Sequence, residues 1–178
     1  MIQSINPYNQ ELVYETAEFD VSDVENAVNK ADEQYKKWRE VSFAERSKLM
    51  QAAGRELRVN SQEYAKIITQ EMGKPIKQAE AEIEKCAKLC DYYAEHASEH
   101  LADKIIETDA QKSYVTYEPI GVVLAIMPWN YPFWQVMRFA VPALMAGNVG
   151  ILKHASNMMK SGASIEKEFK KAGFPIGC

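Results

Sequence analysis

The chain has 178 residues, of which 47% are hydrophobic and 26% are charged, with 21 Lys and Arg against 25 Asp and Glu. Such a composition is typical of a folded globular protein, because disordered chains contain fewer apolar and aromatic residues. The length predicts one domain or part of a larger one. A net charge of −4 and basic clusters no longer than a pair exclude nucleic acid as an expected partner.

The sequence shows no targeting or membrane-spanning segment. Residues 1–7 contain neither the basic nor the apolar stretch that marks a signal peptide. The longest apolar-rich stretch, residues 139–152, includes Pro142 and falls short of the roughly 20 residues that cross a bilayer. The 3 cysteines are an odd, small set that suits reduced thiols. We therefore expect a cytoplasmic protein with no membrane partner.

Helical periodicity dominates the first hundred residues. Ser22–Glu25 and Ser42–Glu45 both have the spacing of a capping box, in which the serine and the glutamate each bond a backbone N–H. A third helix is predicted to begin at Asn60 or Ser61 and to stop at Gly73. The fourth is predicted from about Pro75 to Leu101. Its inward face is predicted to contain Ala79, Ile83, Ala87, Cys90 and Ala94.

The pattern changes to strands after residue 101. Residues 113–117 alternate, and residues 122–127 form a continuous apolar run of the kind found in strands buried on both faces of a parallel sheet. A loop at 128–132 is followed by a predicted helix, a short strand at 149–153 and a final helix near 157–172. This order predicts an α/β fold, with an N-terminal helical layer and the start of a Rossmann-like parallel sheet. Two parallel strands leave open edges, so the chain is expected to be the front part of a longer protein.

Two polar residues are expected at the carboxyl edge of that sheet, where ligands collect in open α/β folds. Asn130 follows the first parallel strand, and its amide can donate to a developing oxyanion. Lys153 ends the second strand and can meet a ribose hydroxyl or a phosphate. Spacing alone favours a turn asparagine and a solvated lysine. The dinucleotide fingerprint Gly-x-Gly-x-x-Gly is absent.

Two further groups on the fourth helix carry no predicted chemistry. Cys86, Cys90, His96 and His100 form two pairs at four-residue spacing, but about 1.5 Å per residue places Cys86 and His100 roughly 21 Å apart. One tetrahedral metal site cannot use all four, and no metal is expected. Glu80, Glu82 and Glu84 stand among lysines and are interpreted as a solvated face.

Several short segments, taken in order, resemble the aldehyde dehydrogenase superfamily. The resemblance covers essentially the whole chain. Several motifs in the same order as in the family are far more specific than any single motif. Residues 130–157 are most similar to the succinate-semialdehyde dehydrogenase branch. The segments are Glu71–Pro75, Glu118–Val122, Pro128–Pro132, Pro142–Asn148 and Leu152–Lys153.

The resemblance implies a set of cofactor and catalytic residues. In this family a cysteine thiolate attacks the aldehyde, hydride passes to NAD or NADP, and a glutamate activates water. Asn130 would then donate to the oxyanion, and Lys153 would meet the adenosine ribose. NAD-preferring members often carry a glutamate three residues after this lysine; Ser156 stands there instead, removes a charge that repels a 2′-phosphate, and makes NADP as well as NAD an expected cofactor. The remaining cofactor-binding residues are predicted to be Ile126, Met127, Pro128, Trp129, His154 and Ala155.

Arg138 is the predicted substrate residue. In succinate-semialdehyde dehydrogenases an arginine eight residues after this asparagine is associated with the substrate carboxylate, which a guanidinium can grip in a bidentate pair. The alternative is a surface arginine on an amphipathic helix. The family's nucleophilic cysteine, its glutamate and its glycine-bearing cofactor turn are expected beyond residue 178. Cys178 itself has no neighbouring group that would lower its pKa.

The sequence thus predicts the N-terminal portion of an NAD(P)-dependent aldehyde dehydrogenase that takes a small aldehyde, succinate semialdehyde, and forms a homo-oligomer when complete. Residues 1–100 are predicted to be a helical part of the cofactor domain, 101–118 an interdomain or oligomerisation arm, and 119–178 the first β–α–β–α unit of that domain. The chain alone is expected to be inactive. The alternative is a non-catalytic remnant that retains only dinucleotide binding or self-association.

Overall fold

The computed structural model describes residues 1–178 and contains 6 helices and 6 strands. Four helices form a layer against which a β–α–β–α unit packs. None of the helices is both long enough and apolar enough to cross a bilayer. The elements are β1 Ile2–Ile5, β2 Leu12–Thr16, α1 Val21–Trp38, α2 Phe43–Val59, α3 Ser61–Met72, α4 Ile76–His100, β3 Lys104–Ile105, β4 Tyr114–Val115, β5 Val122–Ile126, α5 Pro132–Met145, β6 Val149–Lys153 and α6 Met159–Lys171.

The helical layer follows the predicted periodicity closely. Ser42 and Glu45 form the predicted capping box at the start of α2. Helix α3 ends at Gly73, whose φ of 74° lies in the left-handed region that glycine adopts at low cost. All five residues predicted on the inward face of α4 are buried. Apolar spacing is therefore sufficient to predict these helices, and the cap of α2 is predicted as well.

The cap of α1 differs from the predicted one. Asp20, not Ser22, is the N-cap, and its carboxylate accepts from the backbone N–H of Asp23 at 2.9 Å. Asp23 completes the box by accepting from the backbone N–H of Asp20 at 3.1 Å. Ser22 lies in the first turn and donates its hydroxyl to Asp20 at 2.7 Å. The helix begins earlier than predicted because aspartate caps as well as serine does.

Two short antiparallel pairs lie outside the helical pattern. Strands β1 and β2 form an N-terminal hairpin that the periodicity of the first hundred residues does not predict. Strand β4 falls within the predicted residues 113–117, and it pairs with the unpredicted β3. These strands have only two to five residues each, too few for alternation to be distinct from chance.

Strands β5 and β6 form the predicted parallel pair, with Ile126 opposite Lys153 at its carboxyl end. The prediction that β5 is buried on both faces is wrong for this chain. Ala125 is buried, but Leu124 is 60% exposed and Ile126 is 69% exposed. The flanking helices α1 and α5 pack mainly against β6, so they leave these side chains of β5 uncovered.

A single hydrophobic core joins the helical layer to the β–α–β–α unit. Its 26 buried residues come from helices α1 to α6, from β6 and from the residues just after α6. Two side chains of the layer also bond the C-terminal carbonyls of α5. The indole N–H of Trp38 donates to Leu144 O at 3.0 Å, and the buried guanidinium of Arg46 donates to Met145 O at 2.5 Å. The position of α5 is thus fixed by the layer as well as by the sheet.

Candidate functional site

Asn130 and the predicted cofactor residues lie at or just beyond the carboxyl ends of β5 and β6. The backbone N–H of Met127 donates to Lys153 O at 3.1 Å, which continues the parallel ladder to the end of both strands. The loop from β5 to α5 and the loop from β6 to α6 therefore start side by side. In open α/β sheets this edge is where ligands bind.

Asn130 lies in the first of these loops with its carboxamide free. The residue is exposed, and its side chain makes no hydrogen bond within the chain. Its main-chain oxygen, in contrast, accepts from Lys74 Nζ at 2.9 Å. The backbone of Asn130 is thus anchored while both side-chain donors remain available to a ligand.

Lys74 belongs to a buried ion pair beneath this loop. It is 7% exposed and Glu82 is 4% exposed, and Nζ of Lys74 pairs with Oε2 of Glu82. The ammonium also lies 3.8 Å from the centroid of the Tyr131 ring. A buried ion pair is favourable only when further hydrogen bonds satisfy its charges, and here the Asn130 carbonyl and the aromatic face supply them.

The second carboxylate oxygen of Glu82 caps helix α5. Oε1 accepts from the backbone N–H groups of Phe133 and Trp134, both at 3.0 Å. Tyr131, the N-cap residue, provides no side-chain cap of its own. A carboxylate at this end satisfies two unpaired N–H groups and interacts favourably with the helix dipole.

The interpretation of Glu82 as part of a solvated face is wrong. Glu80 and Glu84 carry more exposed side chains, but Glu82 is buried in α4. The sequence does contain a signal, because Glu82 lies three residues after Ala79 and four before Cys86, in register with the inward positions. An acidic residue in an apolar stripe indicates a buried partner, which sequence reasoning missed.

Glu71 caps α6 in the same manner. It is 2% exposed, and its carboxylate accepts from the backbone N–H groups of Lys160 and Ser161, both at 2.8 Å, and from the Ser161 hydroxyl at 2.6 Å. Helix N-termini are common sites for phosphate. In this chain, carboxylates already occupy the N-termini of the helices that follow β5 and β6, so neither N-terminus is available to a pyrophosphate.

His154 is built into the fold rather than presented to a ligand. It is 6% exposed, and its Nε2 donates to Pro132 O at 3.0 Å while Nδ1 accepts from the Ala155 N–H at 2.8 Å, which assigns the tautomer. Burial lowers the pKa of the imidazole. The cofactor-binding prediction for His154 can therefore concern only its backbone.

The other predicted cofactor residues fit one half of a dinucleotide. Lys153 and Ser156 are exposed at the sheet edge, where they can donate to ribose hydroxyls or to a 2′-phosphate. Ile126 is 69% exposed and Trp129 is 53% exposed, so apolar surface lies beside these donors. Pro128 is exposed, and Met127 and Ala155 are partly buried. The chemistry suits an adenosine ribose, whereas the capped helices leave the pyrophosphate to other residues.

Arg138 is exposed on α5 and makes no ion pair or hydrogen bond within the chain. It lies in the middle of the helix whose ends Glu82, Trp38 and Arg46 fix. An unpaired guanidinium can bind a substrate that has an anionic group at one end.

None of the cysteines has the properties of a reactive thiolate. Cys86 and Cys90 are fully buried in α4, and burial raises the pKa of both thiols. Burial also raises the pKa of Cys178 to about 12. A thiol with such a pKa is protonated near pH 7 and is a poor nucleophile.

The sequence model of the aldehyde dehydrogenase family matches residues 1–178, and the chain therefore belongs to that family. It is 46% identical over 176 residues to a probable succinate-semialdehyde dehydrogenase [NADP(+)] of Synechocystis sp., covering 99% of this chain and 39% of that protein. It is 45% identical over 174 residues to the succinate semialdehyde dehydrogenase [NAD(P)+] Sad of Escherichia coli, covering 98% and 38% of the two chains.

The fold is also that of the family. The crystal structure of succinic semialdehyde dehydrogenase from Streptococcus pyogenes, in complex with NADP+, matches with a TM-score of 0.95 and 35% identity over 99% of this chain and 39% of that one. The family resemblance and the fold class predicted from sequence are confirmed. The chain spans about two fifths of the length of these relatives.

Proposed function

We propose that residues 1–178 act as the first portion of an NAD(P)-dependent aldehyde dehydrogenase that oxidises succinate semialdehyde to succinate. The observation that carries the proposal is Asn130, with its backbone anchored at the sheet edge and its carboxamide free. A fixed amide donor can stabilise the oxyanion that forms when a nucleophile attacks the aldehyde carbonyl. The two relatives named above, both succinate-semialdehyde dehydrogenases, support the substrate.

The cofactor proposed is NADP or NAD, held on its adenosine side by Lys153 and Ser156. When bound, it accepts hydride from the substrate carbon. Ser156 adds no negative charge near a 2′-phosphate, and the NADP(+) in the names of relatives agrees with this assignment. The apolar side chains of Ile126 and Trp129 would cover its adenosine portion.

The nucleophile and the general base are proposed to lie outside these residues. The high pKa values of Cys86, Cys90 and Cys178 support this assignment for the nucleophile. We therefore expect the isolated chain to be inactive. We further propose that residues 101–118 form an arm for contact between subunits, because β3 and β4 leave Ile105, Tyr114 and Val115 exposed.

Substitution of Asn130 tests the proposed role directly. In the full-length enzyme that contains these residues, Asn130→Ala should lower kcat about 100- to 1,000-fold, as the loss of one oxyanion donor does elsewhere. Initial rates of NADPH formation would measure the effect, and a thermal melt would show an unchanged fold. Asn29→Ala, an exposed position on α1, is the matched control. Full activity of Asn130→Ala would contradict the proposal.

Arg138 tests the substrate class. Arg138→Met should raise KM for succinate semialdehyde at least 10-fold, because a lost charged hydrogen bond costs about 1.5–3 kcal/mol. The KM for butanal, which has no carboxylate, should stay within about twofold of the unmodified enzyme. An equal change in KM for both aldehydes would mean that Arg138 does not bind the substrate carboxylate and is only a surface residue of α5.

A further inference from the structure

We propose that Lys74 is a positioning residue for Asn130. The buried Lys74–Glu82 pair would then fix the position of the main chain that carries the proposed oxyanion donor. This inference rests on the role proposed for Asn130. Lys74 is not proposed to contact the substrate itself. It acts on the main chain of Asn130, whose side chain is proposed to do so. Neither partner belongs to the loop that they hold.

The pair bonds the loop at two points, both of which follow the Cα of Asn130. At the first point, Lys74 Nζ donates to the carbonyl of Asn130 at 2.9 Å and lies 3.8 Å from the centroid of the Tyr131 ring. At the second point, Glu82 accepts from the backbone N–H of Phe133 at 3.0 Å. Because the ion pair joins these two points, the Asn130 carbonyl cannot move relative to the start of α5 without breaking a buried bond.

Stability alone does not account for this arrangement. A well-packed apolar pair of similar volume is often as stable as a buried ion pair, which must lose its hydration. Apolar side chains would not supply a donor to the Asn130 carbonyl or an acceptor to two amides of α5. What the ion pair adds is a fixed direction for each bond. A displacement of about 1 Å in a reacting group can lower a rate about 100-fold.

The main chain and the side chain of Asn130 have different surroundings. The anchor uses only the main-chain oxygen, and the carboxamide that leaves the same Cα makes no bond within the chain. The carboxamide can therefore donate to a ligand, while the main chain that carries it is held by Lys74. This is the division of roles expected for a preorganised donor.

A double-mutant cycle in the full-length enzyme tests the inference. Lys74→Met should lower kcat about 10- to 100-fold, with KM for the aldehyde nearly unchanged. Combined with Asn130→Ala, it should cause no further loss beyond about twofold, because its effect passes through the missing carboxamide. Lys77→Met, an exposed lysine on α4, is the matched control and should leave kcat unchanged.

The cycle remains informative if Lys74→Met folds poorly. Lys74→Met with Glu82→Gln removes both charges, retains an acceptor for the amides of α5, and can replace the single variant in the cycle. Losses that multiply in the combined variant would overturn the positioning role, since Lys74 would then act independently of Asn130. Unchanged kcat in Asn130→Ala alone would instead overturn the proposed function on which the inference rests.

Discussion

At the residue scale, Glu168 is the buried carboxylate with the fewest partners. It is fully buried in α6, where Tyr64 Oη donates to Oε2 at 2.6 Å while Oε1 has no hydrogen-bond partner. Burial raises its pKa to about 7, and the Tyr64 bond acts in the opposite direction. The same carboxylate raises the pKa of Tyr64, after burial itself. Glu168 therefore binds its proton more tightly in the folded chain than in the unfolded one.

This shift predicts a particular pH dependence of stability. Between the ordinary glutamate pKa of about 4.3 and the folded value of about 7, the folded chain holds more protons than the unfolded chain. The stability that Glu168 contributes is thus full at the acidic end and is lost as pH rises through 7. The free energy of unfolding should fall relative to Glu168→Gln by up to about 1.4 kcal/mol per pH unit.

Urea unfolding at pH 5, 6, 7 and 8 measures the difference between the two proteins. His154 has a lowered pKa and loses stability in the opposite sense as pH falls, but it is present in both and cancels. Glu80→Gln, exposed on α4, is the control. Parallel pH profiles for Glu168→Gln and the unmodified chain would show that Glu168 does not titrate in this range.

At the element scale, helices differ in whether their caps can be predicted. The capping box of α2 lies within four residues of sequence, so the motif alone identifies it. Helices α5 and α6 have N-cap residues, Tyr131 and Met158, that make no side-chain cap. Their caps come from Glu82 and Glu71 in distant helices. Only the tertiary fold brings these carboxylates to the helix ends, which is why sequence reasoning missed them.

The cap of α6 carries a prediction for stability. Glu71→Ala should lower the free energy of unfolding by about 2 kcal/mol or more, because it removes a cap and leaves two amides and the Ser161 hydroxyl unpaired. Hydrogen exchange of the Lys160 and Ser161 amides should become faster. Glu63→Ala, exposed on α3, is the matched control. A loss below about 0.5 kcal/mol would mean that water replaces the carboxylate at little cost.

At the scale of the whole molecule, one core spans the predicted boundary between residues 1–100 and 119–178. Trp38 of α1 packs in it and bonds Leu144 at the far end of α5. Domains that share a core unfold together. We therefore expect a single unfolding transition, with helix content by circular dichroism and Trp38 fluorescence changing at the same temperature.

Trp129→Phe with Trp134→Phe would leave Trp38 as the single fluorescent indole, since the chain has 3 tryptophans. The fluorescence then reports the contact of Trp38, in the helical layer, with the C-terminal end of α5. Two separate midpoints would contradict a shared core and would make the helical layer an independent unit.

The order of elements and the family could be predicted from sequence, but the environment of β5 could not. The apolar run at 122–127 indicates a strand suited to burial on both faces, and that preference is local. Whether Leu124 and Ile126 are covered depends on what packs there, and in this chain they are exposed. Likewise, the strands that precede Asn130 and end at Lys153 pair as predicted, whereas Lys74, in the turn between α3 and α4, reaches Asn130 only in the tertiary fold.

The bonds at the two ends of α5 also define which parts of related chains can be exchanged. Glu82 holds its first turn, and Trp38 and Arg46 hold its last, so three other helices supply the partners of one. A chimera that takes α5 from one relative and the helical layer from another inherits mismatched ends wherever those three residues differ. Crossovers before residue 21 or after residue 145 keep Glu82, Trp38 and Arg46 with α5, so α1 to α5 should be exchanged as one block.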